Sequence, residues 1–186
     1  MNWYRCIGGN GGGGNKKAFI AADAHQYFKV PFYGDEDIVI KTDLIIPHII
    51  TQNLIGTLWS SSGITFYSES NRLYFRNAGG APAFDNIPWT SVAIEFKTNP
   101  TTLIYNGTTY GGTGTQSSHS QIQLFGMDNQ RFAECAMSTI EIYKDGVLSA
   151  KLVPKEDGNG DGYYYDEINE IDYYSLTTTP FMYREF

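Results

Sequence analysis

The run Asp157-Gly-Asn-Gly-Asp-Gly162 places oxygen-bearing side chains at alternate positions, Asp157, Asn159 and Asp161, and closes on a glycine. Hard divalent cations take such oxygens, and the order copies the first half of a calcium loop, with ligands at positions 1, 3 and 5 and glycine at 6. The second half departs from that pattern. Ile168 stands where a bidentate Glu belongs, flanked by Glu167 and Glu170, and no helices border the run. A solvated turn without a cofactor is the expectation here, and calcium on these three residues is the alternative.

A second chemistry is open to the aromatic side chains. Sugar rings stack their C–H faces on Trp and Tyr, and Trp59, Tyr67, Trp89, Tyr110, Tyr163 and Tyr173 are the candidate contacts for a glycan. Most large rings in a chain of this size must instead fill its core. His25, His48 and His119 stand far apart without i,i+2 or i,i+4 pairing and read as surface or satisfied residues. Cys6 and Cys135 lack a CxxC spacing and are expected as free thiols. Asn106-Gly-Thr108 matches a glycosylation sequon but also a two-residue hairpin turn, which is the reading taken. No nucleophile motif is present.

These residues must be held by strands. The chain has 186 residues, of which 15% are aromatic, with a formal net charge of -7. Its length suits one domain, and its charge would repel a phosphate backbone, so nucleic acid is excluded as a partner. The longest mainly apolar stretch, Leu44 to Ile50, is interrupted by Pro47 and His48 and is far too short for a membrane helix, so no membrane partner is expected. From Ala18 onward the apolar period is two: Asp37 to Ile46, Gly63 to Tyr67, Val92 to Phe96 and Thr139 to Lys144 alternate as strands do. Asn106-Gly107 and Asp145-Gly146 mark hairpin turns between such runs. Roughly ten to twelve short strands with no helix predict an all-β, two-sheet antiparallel sandwich or barrel, with Val92, Ile94, Phe96, Ile140 and Ile142 pointing inward.

Residues 1–17 contain six glycines and read as an arm ahead of a domain over 18–176, with 177–186 as a C-terminal tail. Trp3 and Tyr4 in the arm, and Phe181, Tyr183 and Phe186 in the tail, are suited to anchor the chain in a partner.

Several segments carry a resemblance in their order: Leu124-Phe-Gly-Met127, Ser138 to Leu148, Lys151-Leu-Val-Pro154, Gly162-Tyr-Tyr-Tyr-Asp166 and Tyr173-Tyr174-Ser175. Together with Tyr27-Phe-Lys-Val-Pro31 and Leu54 to Trp59, they are similar to the laminin-G-like, concanavalin-type jelly-roll modules of phage and prophage structural proteins. The resemblance covers about residues 18–176 and implies a jelly-roll sandwich. It departs at Ser149-Ala150-Lys151, where such modules carry an Arg-Asp pair, and in the acidic turn at 155–161. It implies a non-enzymatic virion component of a tail, baseplate or capsid surface, synthesised in a bacterial cytoplasm, partnered by other virion proteins and by copies of itself. The alternative is a carbohydrate-binding module for bacterial or mucosal glycan, with or without calcium. Glu170-Ile-Asp172 is also similar to the Glu-Ile-Asp-x-Glu strand of jelly-roll glucanases, but Tyr174 stands at the acid/base position, so hydrolysis is not expected.

Overall fold

Alternation decides which side chains enter the core. Along β8 (Val92–Thr98), Val92, Ile94 and Phe96 are buried while Ala93 faces outward. The same pattern holds in β13 (Ile140–Lys144), where Ile140 and Ile142 are buried. All five residues expected to point inward do so.

The protein, described from a computed structural model, is defined over residues 17–46, 52–57, 63–69, 72–76, 83–84, 91–111, 119–127 and 132–185. Among these residues there are seventeen strands and no helix. The remaining strands are β1 (Ala18–Asp23), β2 (Phe28–Tyr33), β3 (Ile38–Ile45), β4 (Gln52–Gly56), β5 (Thr65–Glu69), β6 (Arg72–Arg76), β7 (Ala83–Phe84) and β9 (Thr101–Tyr105). They continue as β10 (Thr108–Gly111), β11 (Gln121–Leu124), β12 (Glu134–Met137), β14 (Val147–Glu156), β15 (Asp161–Asp166), β16 (Ile171–Tyr173) and β17 (Phe181–Glu185).

Two antiparallel sheets face each other. The smaller has six strands in the order β2-β11-β4-β5-β6-β7, and the larger has eleven, running β10-β9-β8-β3-β12-β1-β17-β15-β14-β13 with β16 beside β15. Register aligns one apolar row across the small sheet, Phe28–Leu124–Ile55–Phe66–Phe75. An opposing row, Ala150–Ile142–Ile40–Phe96–Leu103, crosses the large one. Both rows are buried, and a large aliphatic or aromatic side chain removed from water contributes about 1.5–3 kcal/mol. Cys135 lies in the same core as a free thiol, and burial pushes its pKa well up.

Strands β12 and β13 act as two halves of one bent strand, both paired to the same side of β3. At the bend, around Ser138, Tyr164 fills the gap from β15 and is fully buried. Both predicted hairpin turns are present, with positive φ at Asn106 (49°), Gly107 (75°), Asp145 (52°) and Gly146 (78°), as a right-twisted hairpin requires.

The segment read as a tail is corrected by the structure. Residues Phe181–Glu185 form β17, which lies between β1 and β15 inside the large sheet, and Phe181 is only 1% exposed. The domain therefore extends past 176. Gly162 makes this possible: a Cβ there would meet the Tyr183 backbone nitrogen at 2.8 Å and the Met182 carbonyl carbon at 2.9 Å. The glycine that completes the calcium-like run is thus required by the approach of β17. The arm residues Trp3 and Tyr4, and Phe186, lie outside the described residues.

Candidate functional site

The hairpin between β14 and β15 carries the acidic run. Asp157 folds its own carboxylate over the turn: Oδ1 accepts from the Asn159 and Asp161 backbone N–H groups at 2.8 and 3.1 Å. The Asp157 N–H in turn donates to the Asp161 carbonyl at 3.0 Å. One of the three candidate cation ligands therefore already serves as an acceptor for the loop that carries the other two. Among the described residues no group of three or more His, Cys, Asp and Glu side chains is arranged to hold a metal ion.

The candidate glycan contacts are not brought together into one platform. Trp59 and Trp89 lie outside the described residues. Tyr67 is 6% exposed and stacks on Tyr74, with ring centroids 5.0 Å apart and planes at 13°. Tyr110 pairs with Leu103 at the edge of the large sheet and packs on the main core. Tyr173 lies against Phe28 at 5.6 Å, and partial burial, then the Asp166 charge, raises its pKa. These three rings are packing residues. Tyr183 is half-buried opposite Ile20, and its hydroxyl donates to Glu185 Oε1 at 2.9 Å. Phe181, expected to reach a partner, is instead part of the core.

Tyr163 is different. It faces outward on β15 and stacks on Tyr174, with centroids 4.9 Å apart and planes at 17°, and Tyr174 is 46% exposed. Burial contributes first, and the carboxylates of Asp172 and Asp157 further on, to a raised Tyr174 pKa. Two parallel, stacked rings near the Asp172 and Asp157 carboxylates thus present the outer Tyr174 face as an exposed apolar shelf with polar edges. In the sequence Tyr163 is a candidate glycan contact, whereas Tyr174 stands out only as the residue in place of an acid/base carboxylate. The signal for the pair was present in two tyrosine clusters, Tyr163 to Tyr165 and Tyr173-Tyr174, joined by a turn. Asp166 builds that turn: its Oδ1 accepts from the Lys151, Ile168 and Asn169 N–H groups at 3.1, 3.0 and 3.3 Å, and its Oδ2 from Asn169 Nδ2 at 2.7 Å. Glu170 lies within it at φ 57°, outside the strand in which it would share a face with Asp172.

His119 stacks on Tyr33 at 4.0 Å with its Nδ1 3.0 Å from Asp35, and His25 Nδ1 lies 2.9 Å from the Asp23 carbonyl. His48 lies outside the described residues. On the outward side of the large sheet a groove of about 450 Å³ opens over β3, β8, β9 and β13.

No protein-family model matches the chain, and no curated protein matches it in sequence. Solved structures resemble it in fold. A proposed carbohydrate-binding protein from Bacteroides ovatus is 10% identical, with a TM-score of 0.62 over 91% of this chain and 60% of that one. Domains LG4-5 of the mouse laminin alpha1 chain are 11% identical, with a TM-score of 0.48 over 70% and 42% of the two chains. A native heptameric SAP-like pentraxin from Limulus polyphemus gives a TM-score of 0.39 at 10% identity, over 71% and 72%. The chain spans 60% of the Bacteroides protein's length, and identity at this level carries fold alone. The two antiparallel sheets, their facing apolar rows and the absence of helix among the described residues give this chain an all-β jelly-roll sandwich.

Proposed function

We propose that the chain is a non-catalytic carbohydrate-binding module that receives a sugar ring on the Tyr163–Tyr174 shelf. The observation that carries this reading is the exposed stack itself. Tyr174 keeps 46% of its surface in water although it is held parallel to its neighbour, so a large flat face stays open and in place. An aromatic face takes the C–H side of a pyranose, and the carboxylates of Asp172 and Asp157 accept from its hydroxyls. The fold shared with the Bacteroides protein, described as carbohydrate-binding, supports the same reading.

A virion role rests on the sequence resemblance alone, and Phe181, which that reading offered to a partner, is used inside the sandwich. A glycan array of bacterial cell-wall and mucosal sugars, probed with the full chain with and without chelator, is the test. Binding should occur, and Tyr174→Ala should weaken it at least tenfold, equivalent to about 1.4 kcal/mol. Binding to no glycan, or binding untouched by Tyr174→Ala and Tyr163→Ala, would overturn the proposal.

A further inference from the structure

The outward face that carries Tyr163 continues across β14, β13, β3 and β8. Register places Lys151, Glu141, Lys41, Glu95 and Ile104 side by side on successive strands, a ladder of alternating charge that ends on an aliphatic residue. In the next row Asp43 stands opposite Ala93. Ala93 is exposed and short, and Gly107 at the tip of the adjacent hairpin has no side chain, so a depression forms between longer neighbours. Its volume of about 450 Å³ lies in the range of small-ligand sites, roughly 300–1,000 Å³.

Its charges are matched. Lys17 bridges to Asp43, and Lys41 Nζ sits 3.1 Å from Glu95 Oε2. Glu141 Oε2 accepts the Tyr143 hydroxyl at 2.8 Å. A charged ligand would have to compete with these partners. A hydroxyl would not, because a paired carboxylate keeps spare lone pairs and a paired ammonium keeps spare N–H donors. Ala93 and the half-buried Ile104 leave an apolar strip for a C–H face.

From this groove we infer a second saccharide subsite, selective for uncharged sugar rings, on the outer face of the large sheet. The inference rests on the glycan-binding reading but uses different residues. Four strand spacings separate β8 from β15 through β3, β13 and β14, which is roughly 19 Å along the sheet.

The test follows amide resonances of the labelled full chain. The uncharged probes are maltotriose, cellotriose, xylotriose and the trimer of N-acetylglucosamine, and the charged ones are the glucosamine trimer and a galacturonic acid trimer. At least one uncharged trimer should shift the amides of Ala93, Ile104 and Gly107, and Ala93→Phe should weaken that response at least tenfold while Tyr174→Ala leaves it intact. The charged trimers should bind the groove at least tenfold more weakly. Ala93→Gln serves as the filling variant if the Phe chain does not fold. Shifts confined to the Tyr163–Tyr174 region would overturn the subsite and leave the glycan reading standing. Charged and uncharged trimers bound equally well in the groove would overturn its selectivity. No shift at either place with any trimer would overturn both.

Discussion

The Tyr164 hydroxyl donates to the Met137 carbonyl at 2.8 Å, with the Ser138 carbonyl 3.2 Å away, where β12 gives way to β13. A bend in a strand interrupts its ladder and leaves carbonyls to satisfy, and a buried carbonyl without a donor is costly. Tyr164 resolves this from the middle of the core. Tyr164→Phe keeps the ring and removes the donor, so it should lower stability by about 1–2 kcal/mol. Urea unfolding of the two chains measures it; an unchanged midpoint would show that the carbonyls need no donor.

Gly162→Ala tests how β17 is held. The added methyl would sit within 3 Å of the Tyr183 and Met182 backbone, and backbone yields less readily than a flexible side chain. The expected result is a chain that keeps its other strands but is cleaved by protease between 176 and 186 far faster than the parent. Equal cleavage rates would mean that the strands can part to admit the methyl.

Alkaline titration should divide the tyrosines. Burial pushes the Tyr105 phenol to about 12, with Tyr110 adding to it, and pushes the fully buried Tyr164 well up. Below pH 10 these phenols are neutral whether the chain is folded or unfolded, and stability does not depend on them. As pH rises beyond 10, the unfolded chain releases protons that the folded chain retains, so stability falls between about pH 10 and 12, by on the order of 2 kcal/mol for Tyr105. Phenolate absorbance at 295 nm should therefore show a late class of tyrosines that appears together with loss of near-ultraviolet dichroism. A single transition near pH 10 in the folded protein would contradict this.

Asp166 is fully buried and accepts four hydrogen bonds in the turn that sets Tyr174 on Tyr163. Asp166→Ala leaves the Lys151 and Ile168 N–H groups without their acceptor and should cost roughly 2–4 kcal/mol, whereas Asp166→Asn, which keeps one oxygen, should cost less. Thermal denaturation of both variants checks the order, and equal losses would point to the charge rather than to the acceptor geometry.

Strand alternation and the two Asn-Gly and Asp-Gly turns were readable in the sequence because each is a local signal: neighbours two apart share a face, and two residues suffice to make a turn. What could not be read was pairing at long range. Phe181 to Glu185 looks like a tail because it follows the linker-like run Thr177-Thr-Thr-Pro180 and does not alternate strictly between apolar and polar residues. Its place between β1 and β15 depends on one partner, β1, that lies more than 150 residues away, and on Gly162. The same limit applies to the site. Tyr163 and Tyr174 are eleven positions apart and meet only because Asp166 shapes the turn between them. The groove over Ala93 opens where two short residues, Ala93 and Gly107, fall among longer ones, and such a placement carries no motif at all.

With β17 between β1 and β15, the last of the described strands to be made is the one that closes the sheet against the first. Until Phe181 to Glu185 have left the ribosome, the outer edge of β1 and the Asp161–Gly162 end of β15, beyond the part that β16 covers, have no neighbour, and bare edges are templates for another chain. Folding cannot be completed vectorially; it must wait for a contact that spans most of the sequence, a topology that slows folding. During that wait, two nascent copies could exchange this strand, and the seam at Gly162 is where such a swap would be sealed.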